Sequence, residues 1–429
     1  MSVMIWLFGL LFATVVMVAI GDRVGLPWPV LLTIVTAGVI FIPGVPSAGS
    51  LSQFSHLMLP IFIPPLLWAL ARRASWAQVR RQWRSIIMLS VLLVIATAVA
   101  VGLTVSWLVP TLSVAGAMMI GAAISPPDPV AVDAVAEPAG VPRRLMNTLQ
   151  TEGMFNDAAS ILVFNLALGV LTQGETVKWW EAIWEFGYSS GAAVLIGWFI
   201  GRGAAFLSSW MTSATARNAF TWVIPFITYL VAEEIHASGV IAVVIAAIEY
   251  NSRVAIGAED RLSGTVFWEI VELLFTGVAF GLIGIMARDA IFTVGSDWGE
   301  AVMLGVVLSA VAIVVRGLWF LGMYATNKYT RYRVGGPLRL QETLLLTWAG
   351  MRGLVTLALI LSVPDTGDFG LYHEAPVIAL VVLLFTMVIP GLTLPALMKK
   401  LTLDSDPDAF GDVSREKLVN RARRAARNK

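Results

Sequence analysis

Between Asp22 and Asp128 the chain contains no aspartate or glutamate. That interval, like most of the sequence, consists of apolar windows of helical length separated by short stretches rich in Gly, Pro, Asp or Arg. In hydrocarbon every backbone N–H and C=O has to be satisfied within its own segment, so windows of this kind fold as membrane-spanning helices. About 13 are counted, centred near Leu11, Val35, Ile63, Leu93, Ile124, Ala159, Ile196, Thr228, Ile245, Phe275, Leu308, Met351 and Leu384. The expected fold class is an all-α polytopic membrane protein with two broken spans, the fifth and the twelfth. A chain that is 58% hydrophobic and only 13% charged has no use for that surface outside a bilayer. Residues 3 to 20 have no basic stretch before them and no small-residue cleavage site after them, so they are read as a retained span.

The net charge of +1 conceals an alternation. Arg72, Arg73, Arg80, Arg81 and Arg84 follow the third span, and every second loop continues the pattern. Those loops hold Arg143 and Arg144, Arg217, Arg253 and Arg261, then Lys328, Arg331, Arg333 and Arg339, and last a tail from Lys399 to Lys429. The loops between carry chiefly Lys178 and Arg288. By the positive-inside rule the N-terminus lies outside and the C-terminus in the cytoplasm of a cell membrane, inner or plasma. The short tail, 401–429, reads as a solvated segment near anionic lipid. Basic residues spread in this way do not call for nucleic acid. With no cysteine, disulfides, thiolate metal sites and cysteine nucleophiles are excluded. The scattered tryptophans, Trp179 and Trp180 among them, fit an interfacial belt.

Ionisable side chains at bilayer depth cost about 2.5 to 3.5 kcal/mol each on insertion scales and mark ion pathways. The first inside a span is Asp128, in Ser125-Pro126-Pro127-Asp128-Pro129. Three prolines in four positions break the fifth span, and broken helices are tolerated where freed backbone lines a cavity or binds a ligand. In its structural reading Asp128 caps the second half-helix. The sixth span carries Thr151-Glu152-Gly153-Met154-Phe155-Asn156-Asp157. At about 100° per residue Glu152 and Asn156 share a helix face, while Asp157 points about 140° from Glu152. One carboxylate is then neutralised by a fixed partner and the other titrates. Arg352, in Ala349-Gly350-Met351-Arg352-Gly353 of the twelfth span, requires a carboxylate and is the expected partner of Glu152. Its flanking glycines, Gly350 above all, allow close backbone approach and suggest the second break. Discontinuous helices in matching places of two halves point to an inverted-repeat transporter with its site at the midplane. There Asp128 offsets amino ends of half-helices and Arg352 carboxyl ends.

Weaker candidates are Glu233 and Glu234 with His236 and Ser238; Glu269, Glu272 and Arg316 as interhelical pairs; and Glu249 with Asp133 in a funnel to the site. An intramembrane hydrolase on His236 and Ser238 fails because the two are only two residues apart, without a nucleophile elbow. A channel is the other distant alternative.

The chain resembles the sodium/proton exchangers of the cation/proton antiporter superfamily, in the branch with Asn-Asp in the sixth helix. Four stretches carry this: Asp128-Pro129-Val130-Ala131-Val132; Glu152 with Asn156-Asp157-Ala158; Glu233 followed by Ser238-Gly239-Val240-Ile241-Ala242-Val243-Val244; and Met351-Arg352-Gly353. The resemblance implies two inverted six-helix repeats joined by a linker helix, with spans five and twelve broken and crossing. The transporter domain would be residues 1–400, with a dimerisation part at roughly 1–75 and 218–290, a core at roughly 85–173 and 297–398, and the linker at roughly 182–211. It implies a homodimer, and exchange of a monovalent cation, Na+ first and Li+ with it, for H+. Asp157 would take either ion, with Asn156 and Asp128 supporting, Asp157 and Asp128 as ligands of the alkali cation, and the freed backbone around Ser125, Pro127 and Gly350 lining the site. Beyond the transported ions no cofactor is expected, and no enzymatic role. Gly153, Pro127 and the acid-free Pro64-Pro65-Leu66-Leu67-Trp68-Ala69 depart from the pattern, each removing an oxygen. K+/H+ or non-selective monovalent exchange is therefore the alternative.

Overall fold

The computed structural model describes residues 2–38, 55–136, 138–173, 179–254, 258–294, 298–329, 336–363, 369–401 and 403. Lys178, Arg331, Arg333 and the tail beyond residue 403 lie outside these, as do the side chains of Arg261 and Arg288. Among the described residues all regular structure is helical.

Helices α1 (Ser2–Val24) and α2 (Trp28–Gly38) form a hairpin, closed where Gly25, at φ +69°, donates its N–H to the Gly21 carbonyl. After α3 (Ser55–Ala71), α4 (Trp76–Ile86) runs through a π-helical stretch, Ile87–Leu92, into α5 (Leu93–Leu108). Then come α6 (Val114–Ile124) and α7 (Pro129–Ala136), α8 (Arg143–Gly153) and α9 (Asn156–Gln173), and α10 (Trp179–Ser209). Next are α11 (Ala214–Glu234), α12 (Gly239–Arg253), α13 (Ala258–Val294) and α14 (Trp298–Tyr329). Finally α15 (Leu340–Trp348) and α16 (Leu354–Leu361) precede α17 (Ala375–Leu383), which continues through the π-helical Leu384–Val388 into α18 (Ile389–Lys400).

Among the described residues seven helical stretches are long and apolar enough to cross a membrane on their own, which makes this a multi-pass membrane protein. Of the thirteen predicted centres, only Met351 falls outside a helix, in the expected twelfth-span break. Serines start several passes: Ser75, Ser113, Ser213 and Ser238 each accept a backbone N–H three residues on. The helices approach through small residues, as expected where lipid offers no hydrophobic drive. A Cβ on Gly201 of α10 would lie 2.6 Å from the Ala246 carbonyl of α12, and one on Gly121 of α6 would lie 2.2 Å from the Ala98 carbonyl of α5. Likewise Gly284 of α13 meets Thr33 and Thr36 of α2.

One further break was not expected. The sixth span stops at Gly153 and restarts at Asn156, with Met154 and Phe155 in a turn. A continuous wheel through Glu152, Asn156 and Asp157 therefore does not hold.

Candidate functional site

The two expected breaks cross. Asp128 donates its backbone N–H to the Met351 carbonyl at 2.7 Å, joining the turn between α6 and α7 to that between α15 and α16. Contact is so close that a Cβ on Gly353 would sit 1.6 Å from Asp128 Oδ2. Four helix ends thus converge, two amino and two carboxyl, each with orphan backbone groups and about half an elementary charge.

Two side chains serve them. Asp128 Oδ1 accepts from the Val130 and Ala131 N–H groups at 2.8 and 3.2 Å, and its Oδ2 accepts from Leu354 N–H at 3.3 Å. It therefore caps α7 and α16 together. Arg352, 2% exposed, donates from Nε to the Ile124 carbonyl at 2.8 Å and from Nη1 to the Gly350 carbonyl at 2.6 Å, serving the ends of α6 and α15. The expected offsets of amino ends by Asp128 and carboxyl ends by Arg352 are both present.

The expected pairing of Glu152 with Arg352 is not. Glu152, 1% exposed, is held in a two-pronged bond by Arg316 of α14: Nη1 to Oε1 at 2.5 Å and Nη2 to Oε2 at 2.9 Å. Arg316 also donates Nε to the Leu346 carbonyl at 2.9 Å and lies over the Phe320 ring. Arg352 is occupied by carbonyls, which meet a buried guanidinium's demand for acceptors as a carboxylate does. Gly350 is small because of Arg316: a Cβ there would lie 2.3 Å from its Nε.

The turn between α8 and α9 is stitched to the crossing. The Ser90 hydroxyl, from the π-helical stretch, donates to the Glu152 carbonyl at 2.7 Å, satisfying a group that a continuous helix would have satisfied itself. Asn156 Nδ2 donates to the Pro127 carbonyl, and its Oδ1 accepts from Asp157 N–H at 2.8 Å. Ser160 donates to the Ala122 carbonyl at 2.8 Å, and Ser125 turns back on the same carbonyl. Ser90 and Ser160 carry no sequence signal beyond being hydroxyls in apolar helices.

Asp157, 4% exposed, stands apart. Its Oδ1 is buried and has no hydrogen-bond partner. Among the described residues, Thr356 Oγ1 in the first turn of α16 is a further buried oxygen without a hydrogen-bond partner. Gly153 does not represent a lost oxygen ligand, because a Cβ there would lie 2.3 Å from Pro129 Cβ and no side chain fits.

A cavity of about 980 Å3 reaches α7 at Val130 and Asp133 and is lined also by Asp22, Glu269, Glu272, Arg72 and Arg73. Asp133 accepts from Gln150 Nε2 at 3.1 Å, and Arg73 bonds Glu272 at 2.7 Å with its other amine 3.8 Å from Asp133. Glu249 is absent from this lining and is instead held by Arg253 and by Trp76 Nε1 at 2.9 Å. Of the two funnel candidates, only Asp133 stands there. Ser238 caps α12, and Glu233 accepts from Gly239 N–H at 3.0 Å, so that cluster serves a turn.

Comparison with known proteins places the chain in a family. The family of transmembrane sodium/hydrogen exchangers matches over residues 10–400. A Na+/H+ antiporter of Aphanothece halophytica is 28% identical over 388 residues, which cover 89% of this chain and 71% of that protein. A sodium, potassium, lithium and rubidium/H+ antiporter of Bacillus pumilus is 28% identical over 393 residues, covering 87% of this chain and 58% of its own length. The structure of a sodium proton antiporter from Methanocaldococcus jannaschii at pH 8 superposes with a TM-score of 0.71 at 16% identity, covering 94% of this chain and 99% of that one.

Proposed function

From the premise that this chain belongs to the sodium/hydrogen exchanger family, we propose that it is a secondary antiporter exchanging a monovalent cation, Na+ first, for H+. Asp157 is the carboxylate that takes either ion. One observation carries this: Glu152 has both oxygens on Arg316 and Asp128 has both on backbone N–H groups, while Asp157 Oδ1 is buried without a partner. A bare carboxylate resists leaving water, whereas one neutralised by a proton or a cation does not. Competition of the two ions for one group gives exchange.

With a single exchanging carboxylate, one proton moves per monovalent cation and transport is electroneutral. The dimerisation part (1–75 and 218–290) stays fixed in a homodimer while the core (85–173 and 297–398) moves Asp157 between the two sides. The protein works in the cell membrane with its N-terminus outside, so the cavity of about 980 Å3 opens to the cytoplasm. The ions are its cargo, and neither cofactor nor nucleic acid enters. A second reading is broader monovalent selectivity including K+, favoured by the acid-free stretch Pro64-Pro65-Leu66-Leu67-Trp68-Ala69, which offers no carboxylate ligand. The Bacillus pumilus relative is named for four such cations.

The test is dequenching of a pH-sensitive dye in everted vesicles on addition of Na+, Li+ or K+, for the wild type and Asp157→Asn. Loss of the response in the variant is expected, and the active cations decide between the readings. A variant response equal to wild type sinks the assignment of Asp157, and a transport current in reconstituted protein sinks electroneutrality.

A further inference from the structure

Beside the cavity that reaches α7 lies a second, of about 670 Å3, and Arg72 and Thr265 line both. Its walls come from the ends of α10 and α12, the chain just after α3, and the starts of α11 and α13. The two cavities differ in charge. Asp22, Asp133, Glu269 and Glu272 line the first, whereas the described lining of the second holds no carboxylate but three arginines, Arg72, Arg217 and Arg253.

Arg253 is held in place by Glu249, and Arg217 by the Met211 carbonyl. Arg72 is different: its Nε is buried and has no hydrogen-bond partner. A buried guanidinium N–H without an acceptor carries the full desolvation penalty of that group, a reason to look for a missing acceptor. The first turns of α11 add to the field, because Ala214, Arg217, Asn218 and Thr221 lie on its cavity side behind the Ser213 cap, and a helix amino end is positive. Tyr250 and Asn251 supply further polar groups.

We propose that this second cavity binds a phosphate group, with Arg72 as its central ligand and Arg217 and Arg253 flanking it. Guanidinium groups match phosphate oxygens in a fork geometry, and a space of this size takes a phosphate with a small organic group attached. An anionic phospholipid headgroup and a free phosphate share this chemistry. Arg72 also stands within electrostatic reach of Glu269 and Glu272, so the bound phosphate draws a positive charge away from the carboxylates of the first cavity. The binding itself does not depend on the antiporter reading, and its test is independent of transport.

The test is thermal melting of the purified full chain in a neutral detergent. The probes are dioctanoyl phosphatidylglycerol, dioctanoyl phosphatidylcholine, and inorganic phosphate against chloride at equal ionic strength. A saturable rise in melting temperature with phosphatidylglycerol, absent with phosphatidylcholine, is expected, and Arg72→Gln weakens it at least tenfold. A rise with phosphatidylglycerol alone assigns the site to a lipid headgroup, and a rise with inorganic phosphate assigns it to a soluble ligand. Ala214→Trp fills the cavity while leaving all three arginines in the sequence and abolishes the shift, which keeps the test decisive should Arg72→Gln fold poorly. Equal shifts with both lipids, no shift with any probe, or a shift that survives in both variants overturns the proposal.

Discussion

Gly353→Ala adds a single methyl group at the point where the two broken spans cross. The new Cβ would lie 1.6 Å from Asp128 Oδ2 and 2.4 Å from its Cγ, with backbone on one side and the carboxylate on the other. Carbon–oxygen contacts settle near 3.3 Å, so one partner retreats by roughly 1.7 Å. If the carboxylate turns away, the bond from Leu354 N–H is lost and those from Val130 and Ala131 at 2.8 and 3.2 Å are loosened. If the backbone retreats instead, the 2.7 Å bond from Asp128 N–H to Met351 fails. Hydrogen bonds to a charged group contribute about 1.5–3 kcal/mol each and a buried backbone group left unpaired costs about 1–3 kcal/mol, so with the loosened neighbours the change costs about 2–5 kcal/mol. At about 2.1 cal/mol/K per residue, unfolding 429 residues carries an entropy of about 0.9 kcal/mol/K, and the melting temperature falls by roughly 2–6 °C. Cation-dependent dequenching is lost as well, since the amino ends of α7 and α16 lose their shared cap. Gly203→Ala is the control, because nothing lies within 4 Å of its Cβ and alanine favours the helix. If Gly353→Ala melts and transports as the wild type does, the crossing is not as close as described and the reasoning is refuted.

Glu152→Gln and Arg316→Met each leave a buried charge alone and are expected to cost about 3–5 kcal/mol in thermal melting. The double variant Glu152→Leu with Arg316→Met recovers much of that loss, and strict additivity would contradict the pairing. Gly153→Ser introduces a hydroxyl at the turn but overpacks Pro129, at a cost of about 1–3 kcal/mol. Its melting temperature drops without a gain in Na+ over K+ preference, and a stable variant with sharper selectivity would show that room exists after all. Thr356→Val removes a buried hydroxyl that has no partner in the protein, so stability holds. The cation concentration for half-maximal dequenching rises several-fold, and an unchanged value would exclude that oxygen from the site.

Both breaks of the crossing were legible in sequence because they are written in backbone chemistry. Three prolines around Asp128 remove donors, and Gly350 and Gly353 flank a charged residue in an apolar span. What lay beyond reach was which partner each charge takes. Arg316 and Arg352 are both guanidinium groups within apolar stretches of the sequence, and Glu152 is 164 positions from the one it bonds. The wheel argument assumed an unbroken helix from Glu152 to Asp157, but no proline or glycine pair announces the turn at Met154 and Phe155. There the Ser90 hydroxyl reaches the Glu152 carbonyl from another pass, a contact no local sequence pattern announces. Gly153 was legible as a departure and misjudged as a loss, since only the packed structure brings Pro129 against it.

If Asp157 is the exchanging group, as proposed, the arrangement also favours monovalent over divalent ions. At formal charge Glu152 and Arg316 cancel within one pair, and Asp128 and Arg352 cancel across the crossing, one on amino ends and the other on carboxyl ends. Asp157 is left over, in the first turn of α9, as the one uncompensated charge of these five groups. A proton or one monovalent cation brings the set to neutrality, and a neutral set crosses a low-dielectric region at modest cost. A divalent ion at the same carboxylate leaves one unit of positive charge uncompensated in a buried site, which is costly at low dielectric. The capping roles of Asp128 and Arg352 therefore do more than hold the breaks together: by cancelling each other they leave room for a single unit of exchangeable charge.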